Sequence, residues 1–220
     1  MKTFIAACAL TALAGAAPSM AAESLQVNAS GETSIPALKM PSSSLASKEA
    51  NDSRVEHILT ERTLKSQGKT TDQINAALFG PRLERMLAAY PVNVRQETIG
   101  RVRVTVYEPL AGVAPANQNK VLINLHGGGF VGCFTECGGL ESVPIAALSG
   151  IKVISVDYRL APTAKVPEAS EDAAVVYREV LKRTSAASVG IFGCSAGGSL
   201  TAQSLSYFQQ QELPRPAAAG

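Results

Sequence analysis

Three short, apolar, β-branched runs constrain the fold of this chain more than any other feature. They are Val121–Leu125, Ile151–Val156 and Val189–Phe192. Runs of this length without regular polar alternation are strands buried on both faces. Helix-forming stretches separate them, at Leu140–Leu148 and Glu168–Arg183, and another follows from Ala196 to Phe208. Strand, helix, strand, helix, strand predicts an α/β class fold with an open, mostly parallel sheet covered by helices on both faces. Just upstream, Val92–Ile99 and Arg101–Tyr107 alternate as a hairpin, with Val102, Val104 and Val106 on one face. No internal repeat is present.

Residues 51–90 carry a helical period. Ser53-x-x-Glu56 reads as a capping box, followed by Val55, Ile58 and Leu59 on one face and an end near Gly68. Thr70-x-x-Gln73 opens a second helix with Ile74, Ala77 and Leu78; Gly80-Pro81 is expected to interrupt it, and a third segment presents Leu83, Met86, Leu87 and Tyr90 before Pro91. A block of about forty residues is too small for its own core, so it must lie on the rest of the chain.

The N-terminus has Lys2, an apolar run from Phe4 to Ala17, and small residues around Ser19-Met20-Ala21-Ala22 before Glu23. That is the pattern of a secretory signal peptide, with cleavage expected near Ala21, and the run is short for a membrane span of about 20 residues. The expectation is therefore an exported protein, periplasmic or secreted, without a stable membrane anchor. Residues 22–50, rich in Ser, Ala, Pro and Asn, read as a flexible arm. Cys133, Cys137 and Cys194 remain beyond the signal, an odd number in an oxidising compartment. Cys133 and Cys137 are close enough in sequence to pair, but the preferred reading is three small buried apolar residues.

Composition excludes several classes of function. The 220 residues hold 46% apolar side chains, enough for one α/β domain, and their net charge of +2 includes no like-charged block. A nucleic-acid binder would carry a basic patch or stripe. The only histidines, His57 and His126, cannot supply a three-histidine metal site, so no metal and no cofactor is expected.

The chemistry concentrates at the ends of the three apolar strands. Gly193-Cys194-Ser195-Ala196-Gly197 is a G-x-S-x-G sequence between a strand and a helix, the setting that places a serine on a sharp, exposed turn. The flanking glycines avoid collisions at that turn, and the helix N-terminus behind the serine contributes amides and a positive dipole end. His126-Gly127-Gly128-Gly129-Phe130 follows the strand Val121–Leu125. Its glycines let main-chain amides point into a site, as an oxyanion hole requires. A flexible loop or phosphate cradle is the alternative, but no Lys-Ser/Thr follows and there is no GxGxxG pattern. Asp157-Tyr158-Arg159-Leu160-Ala161-Pro162 closes the strand Ile151–Val156.

In this order and spacing, HGGGF, DYRLAP and GCSAGG resemble the hormone-sensitive-lipase-like family of α/β-hydrolases, serine carboxylesterases and lipases acting on acyl esters. The resemblance spans about residues 51 to 213. It implies an α/β-hydrolase fold with an N-terminal helical cap over the acyl pocket and a core from residue 91 onward. It implies Ser195 as nucleophile, with the amides of Gly128, Gly129 and Ala196 as oxyanion hole. His126 would order the glycine loop rather than act as base, and Gly127, Gly193, Gly197, Asp157, Tyr158 and Arg159, with Pro162, would brace the site. Two positions depart from the family: Cys194 replaces a common acidic residue, and Thr163 a glutamate.

The expected substrate is a small acyl ester. In this fold the triad runs Ser, then Asp or Glu, then His along the chain. After Ser195 come one carboxylate, Glu212, and no histidine. The reading from sequence is the front portion of an ester hydrolase, incomplete at the C-terminus and weak or inactive alone. The alternative is a non-catalytic ligand-binding protein of the same fold. The strand Val189–Phe192 is expected to have an unpaired apolar edge, open to self-association.

Overall fold

The computed structural model describes residues 26–34 and 39–220, so the proposed signal segment and its cleavage point lie outside the described residues. The chain divides into two units, residues 1–47 and 48–220. In the first, β1 (Gln26–Val27) and β2 (Thr33–Ser34) form a small antiparallel pair around Gly31, with Asn28 Oδ1 accepting the amides of Ser30 and Glu32. The stretch read from sequence as a flexible arm contains a local hairpin held by an Asn-centred turn.

The second unit begins with α1 (Lys48–Ser66) and α2 (Thr71–Ala89). The Thr70–Gln73 capping box forms in both directions. The Ser53 box does not form, because α1 starts at Lys48 and places Ser53 inside the helix. Nor does Gly80-Pro81 break α2, which runs straight through Pro81. Proline there forfeits one backbone hydrogen bond, and the packing of Leu83, Met86, Leu87 and Tyr90 against a buried cluster outweighs that loss.

Next come β3 (Val92–Ile99) and β4 (Val102–Pro109), then β5 (Val121–Leu125), α3 (Phe134–Ser149), β6 (Lys152–Val156), α4 (Val166–Leu181), β7 (Val189–Gly193), α5 (Ala196–Gln210) and β8 (Ala218–Ala219). The six-stranded sheet has the order β3-β4-β6-β5-β7-β8. β3–β4 and β4–β6 pair antiparallel; β6, β5, β7 and β8 run parallel. Skipping from β5 to β6 on one side and to β7 on the other makes β5 the point where the winding reverses, and ligand sites in open α/β sheets form at such a point.

Helices α4 and α5 cover one face of the sheet. Val104, Val106, Ile123, Leu125, Val156 and Ile191 meet Ala173, Tyr177, Leu200 and Phe208 there, with Tyr177 stacked on Phe208 at 4.7 Å. A smaller cluster of Tyr107, Val143, Ala146 and Val153 joins α3 to the opposite face, and α2 packs outside it. The β7 edge is not left bare as the sequence suggested. Gly190 and Ile191 pair with β8, and the Gly193 amide donates to the Gly220 carbonyl, so a short return segment covers it.

Candidate functional site

The three motifs lie at the C-terminal ends of three adjacent parallel strands, β6, β5 and β7. Ser195 sits between β7 and α5 at φ 55° and ψ −118°, a backbone conformation L-residues rarely adopt, and it is exposed. The flanking glycines are there because β5 runs against them. A Cβ on Gly193 would lie 2.3 Å from the Leu125 carbonyl oxygen, and one on Gly197 only 1.7 Å from it. The bend is thus required by backbone against backbone.

The glycine loop meets that bend directly. A Cβ on Gly127 would fall 3.0 Å from the Cys194 carbonyl oxygen and 3.7 Å from the Ser195 Cβ. Gly128 has φ 114°, and a Cβ there would strike the Gly132 carbonyl oxygen at 2.1 Å. Gly129 also has positive φ, and Phe130 shares the left-handed region at 64°. Gly128, Gly129 and Ala196, at the first turn of α5, therefore belong to two chain segments that abut beside Ser195.

His126 is fully buried beneath this loop. Its ring stacks on Tyr158 at 4.3 Å, Nδ1 lies 2.6 Å from the Gly127 carbonyl oxygen, and burial pushes the imidazole below its ordinary pKa. The Tyr158 hydroxyl donates to the His126 carbonyl at 2.5 Å, tying the loop after β6 to the loop after β5. A second tie is the Ala161 amide, which donates to the Phe130 carbonyl at 2.8 Å.

Arg159 anchors the same loop to α4. Its Nε and backbone amide donate to Asp172, which is nearly buried, and its other nitrogens reach Glu168 and Glu171. Asp157 accepts from Arg103 Nε at 2.6 Å, bracing the turn against β4. These side chains hold the loop in place and leave the serine face open.

The cysteines correct the reading from sequence. Cys133 and Cys137 form a disulfide with a Cα separation of 5.2 Å across the first turn of α3, while Cys194 is a free, exposed thiol. Cys133 caps α3 in the left-handed region at φ 77°, and that turn, rather than stacking within the helix, brings its sulfur to Cys137. The bridge adjoins the glycine loop: a Cβ on Gly128 would come 2.8 Å from the Cys133 Cβ.

Glu141 is a residue that motif reading missed. From α3 its carboxylate accepts the Gly127 amide at 2.9 Å and Asn124 Nδ2 at 2.8 Å, with the Cys194 amide close enough to lower its pKa. Burial raises its pKa, and those donors pull it back. Asn124 in turn accepts from Ser155 Oγ at 2.7 Å. The available signals were polar residues within largely apolar segments: Glu141 in GGLESVPIAAL, Asn124 in VLINL and Ser155 in KVISV.

The remaining candidates lie elsewhere. His57, on α1, places its ring 5.8 Å from Phe79 of α2, and Glu212 is exposed beyond α5. Two clefts of about 460 and 530 Å³ open beside β8 and beside the β3–β4 turn, away from Ser195. Among the described residues no helix is long and apolar enough to cross a membrane.

Comparison with known proteins agrees with this arrangement. Residues 122–220 match the Abhydrolase_3 family, whose description is alpha/beta hydrolase fold. An ethyl acetate hydrolase of Pseudomonas putida is 35% identical over 113 residues, 46% of this chain and 34% of that protein. The crystal structure of esterase E25 superposes with a TM-score of 0.64 at 26% identity, covering 84% of this chain and 59% of its own. That of EstE7, a homologue of hormone-sensitive lipase from a metagenome library, gives 0.56 at 26% identity, covering 76% and 55%. The chain thus spans from about a third to somewhat over half the length of these relatives. By sequence match, strand order and the abutting turns at Gly127 and Ser195, the chain has the alpha/beta hydrolase fold over residues 122–220.

Proposed function

We propose that this chain carries the acyl-binding half of a carboxylic ester hydrolase site. Ser195 is the nucleophile, and the amides of Gly128, Gly129 and Ala196 receive the oxyanion of the tetrahedral intermediate. The observation that carries this reading is the strained Ser195 backbone at the N-terminus of α5, abutting the glycine loop. A helix N-terminus and glycine-loop amides are fixed donors that need no reorganisation as charge develops, which is where such sites derive most of their rate. The ethyl acetate hydrolase and esterase relatives support a small acyl ester as substrate.

Deprotonating the serine requires a base oriented by an acid. His126 lies buried under the glycine loop and His57 rests on Phe79, so neither is positioned for that task. A polypeptide of these 220 residues is therefore expected to hydrolyse a p-nitrophenyl short-chain ester weakly. Its rate should lie about 10⁶-fold below a complete triad and about 10³-fold above water, a residual that comes from the oxyanion hole and binding and is therefore largely kept in Ser195→Ala. Turnover at the level of a complete hydrolase, abolished by Ser195→Ala, would overturn the statement about the base; such turnover kept in Ser195→Ala would overturn the nucleophile as well.

The basic and apolar pattern of residues 2–22 and the Cys133–Cys137 disulfide both support export to an oxidising compartment.

A further inference from the structure

We infer that Glu141 is a positioning residue that sets the spacing between the glycine loop and the serine turn. The inference rests on the ester-hydrolase reading and goes beyond it, because Glu141 belongs to none of the three motifs.

The two turns that make the site come from different strands and share no side chain of their own. Gly127 has none, and the Cys194 thiol is free and exposed. What joins them is one carboxylate from a third element. Glu141 accepts the Gly127 amide at 2.9 Å, and a Cβ on Gly127 would meet both its Oε1, at 3.2 Å, and the Cys194 carbonyl oxygen, at 3.0 Å. The carboxylate thus lies against the residue before Gly128 and beside the residue before Ser195, whose amide helps to lower its pKa. A carboxylate has two oxygens and no proton to donate, so a single group can accept from both turns at once. An amide or hydroxyl of the same size cannot match it without presenting a donor to a donor.

The carboxylate is itself held. Its other oxygen accepts Asn124 Nδ2 at 2.8 Å, and Asn124 is fixed by Ser155 Oγ at 2.7 Å. Asn124 and Ser155 are fully buried on β5 and β6, the two strands at the centre of the sheet. Gly138 on α3 lets the helix approach: a Cβ there would meet Ser155 Oγ at 2.5 Å. Helix α3 is therefore seated closely enough for Glu141 to reach beneath both turns. The clamp bears on the distance between oxyanion donors and the nucleophile, which must hold within a few tenths of an ångström to be useful. Glu141 touches no reacting atom.

The test uses the 220-residue chain with Glu141→Gln, which preserves size and removes one acceptor, and Glu141→Asp, which keeps the charge on a shorter stem. Amide hydrogen exchange read by NMR gives the contact, and the rate of Ser195 labelling by a p-nitrophenyl alkylphosphonate, followed by mass spectrometry, gives the consequence. The expected result for Glu141→Gln is a folded protein with an unchanged thermal transition to within a few degrees. Protection at Gly127 and Cys194 should fall at least tenfold, and labelling at least tenfold, with partial recovery in Glu141→Asp. Unchanged protection at both amides overturns the clamp; lost protection with unchanged labelling overturns the positioning role. Without a positioned base the labelling is slow, so it is read over long exposure as a ratio between variants. No labelling of the unsubstituted chain overturns the positioning role alone, while the exchange data still decide whether the clamp exists.

Discussion

Helices α1, of 19 residues, and α5, of 15, both carry apolar side chains at helical spacing, yet they stand in opposite relation to the core. α5 buries Ala196, Gly197, Leu200, Thr201, Ser204 and Phe208 against the sheet; α1 buries none of its residues and leaves Val55, Ile58 and Leu59 about half exposed. The serine turn is attached to the buried helix. That is physically sensible, because a strained backbone persists only where the surroundings over-determine it. α1 meets no such demand, so its sequence is free of the close approaches that fix α5.

Substituting into each helix measures how large that difference is. The largest effect is expected from Gly197→Ala, whose methyl group would sit 1.7 Å from the Leu125 carbonyl oxygen. No side-chain adjustment relieves a clash between two backbones, so urea unfolding should show a loss above about 4 kcal/mol, or no cooperative transition at all. A normally folded Gly197→Ala protein would remove the argument that β5 dictates the turn. Next is Leu200→Ala, which empties a fully buried site next to Phe208 and should cost about 2–5 kcal/mol in the same experiment. At the other extreme, Ile58→Ser on α1 should change stability by no more than about 0.5 kcal/mol. A cost above about 2 kcal/mol there would mean that the apolar stripe of α1 is covered in solution, and the contrast with α5 would disappear.

The periodicity that identified these helices did not distinguish them. Val55, Ile58 and Leu59 read from sequence as an inward face because their spacing is helical, but spacing says which residues share a face and not whether another element lies against it. The same limit explains the Ser53-x-x-Glu56 box. A capping pattern is meaningful only at a helix start, and α1 starts five residues earlier. The Thr70-x-x-Gln73 box lies after the Gly68 turn, where a start is forced, and it formed. Pro81 shows the converse: a local cost of about 3 kcal/mol is tolerated when the residues beyond it are packed in a cluster.

The motifs were legible because their chemistry is backbone chemistry. Gly193, Gly197, Gly127 and Gly128 stand where a Cβ would collide, and glycine is the residue that permits such contacts. Glu141 was not legible because its importance comes from being brought under two turns that are 14 and 53 positions away in sequence. The Cys133–Cys137 bridge stood between these cases. The spacing allowed it, and the start of α3 at Phe134, which turns Cys133 toward Cys137, decided it.

By itself the sequence determined the α/β class, the order of strands and helices from β3 to α5, and the three strand-end motifs, since all of these depend on local period and on the few residues that tolerate tight turns. Only the tertiary structure decided the sheet order with β5 at its reversal, the return of residues 218–220 onto β7, and the seating of α3 that carries Glu141 beneath Gly127 and Cys194. Those depend on which surfaces meet, and contact between distant segments is set by the packing of the whole domain rather than by any window of its sequence.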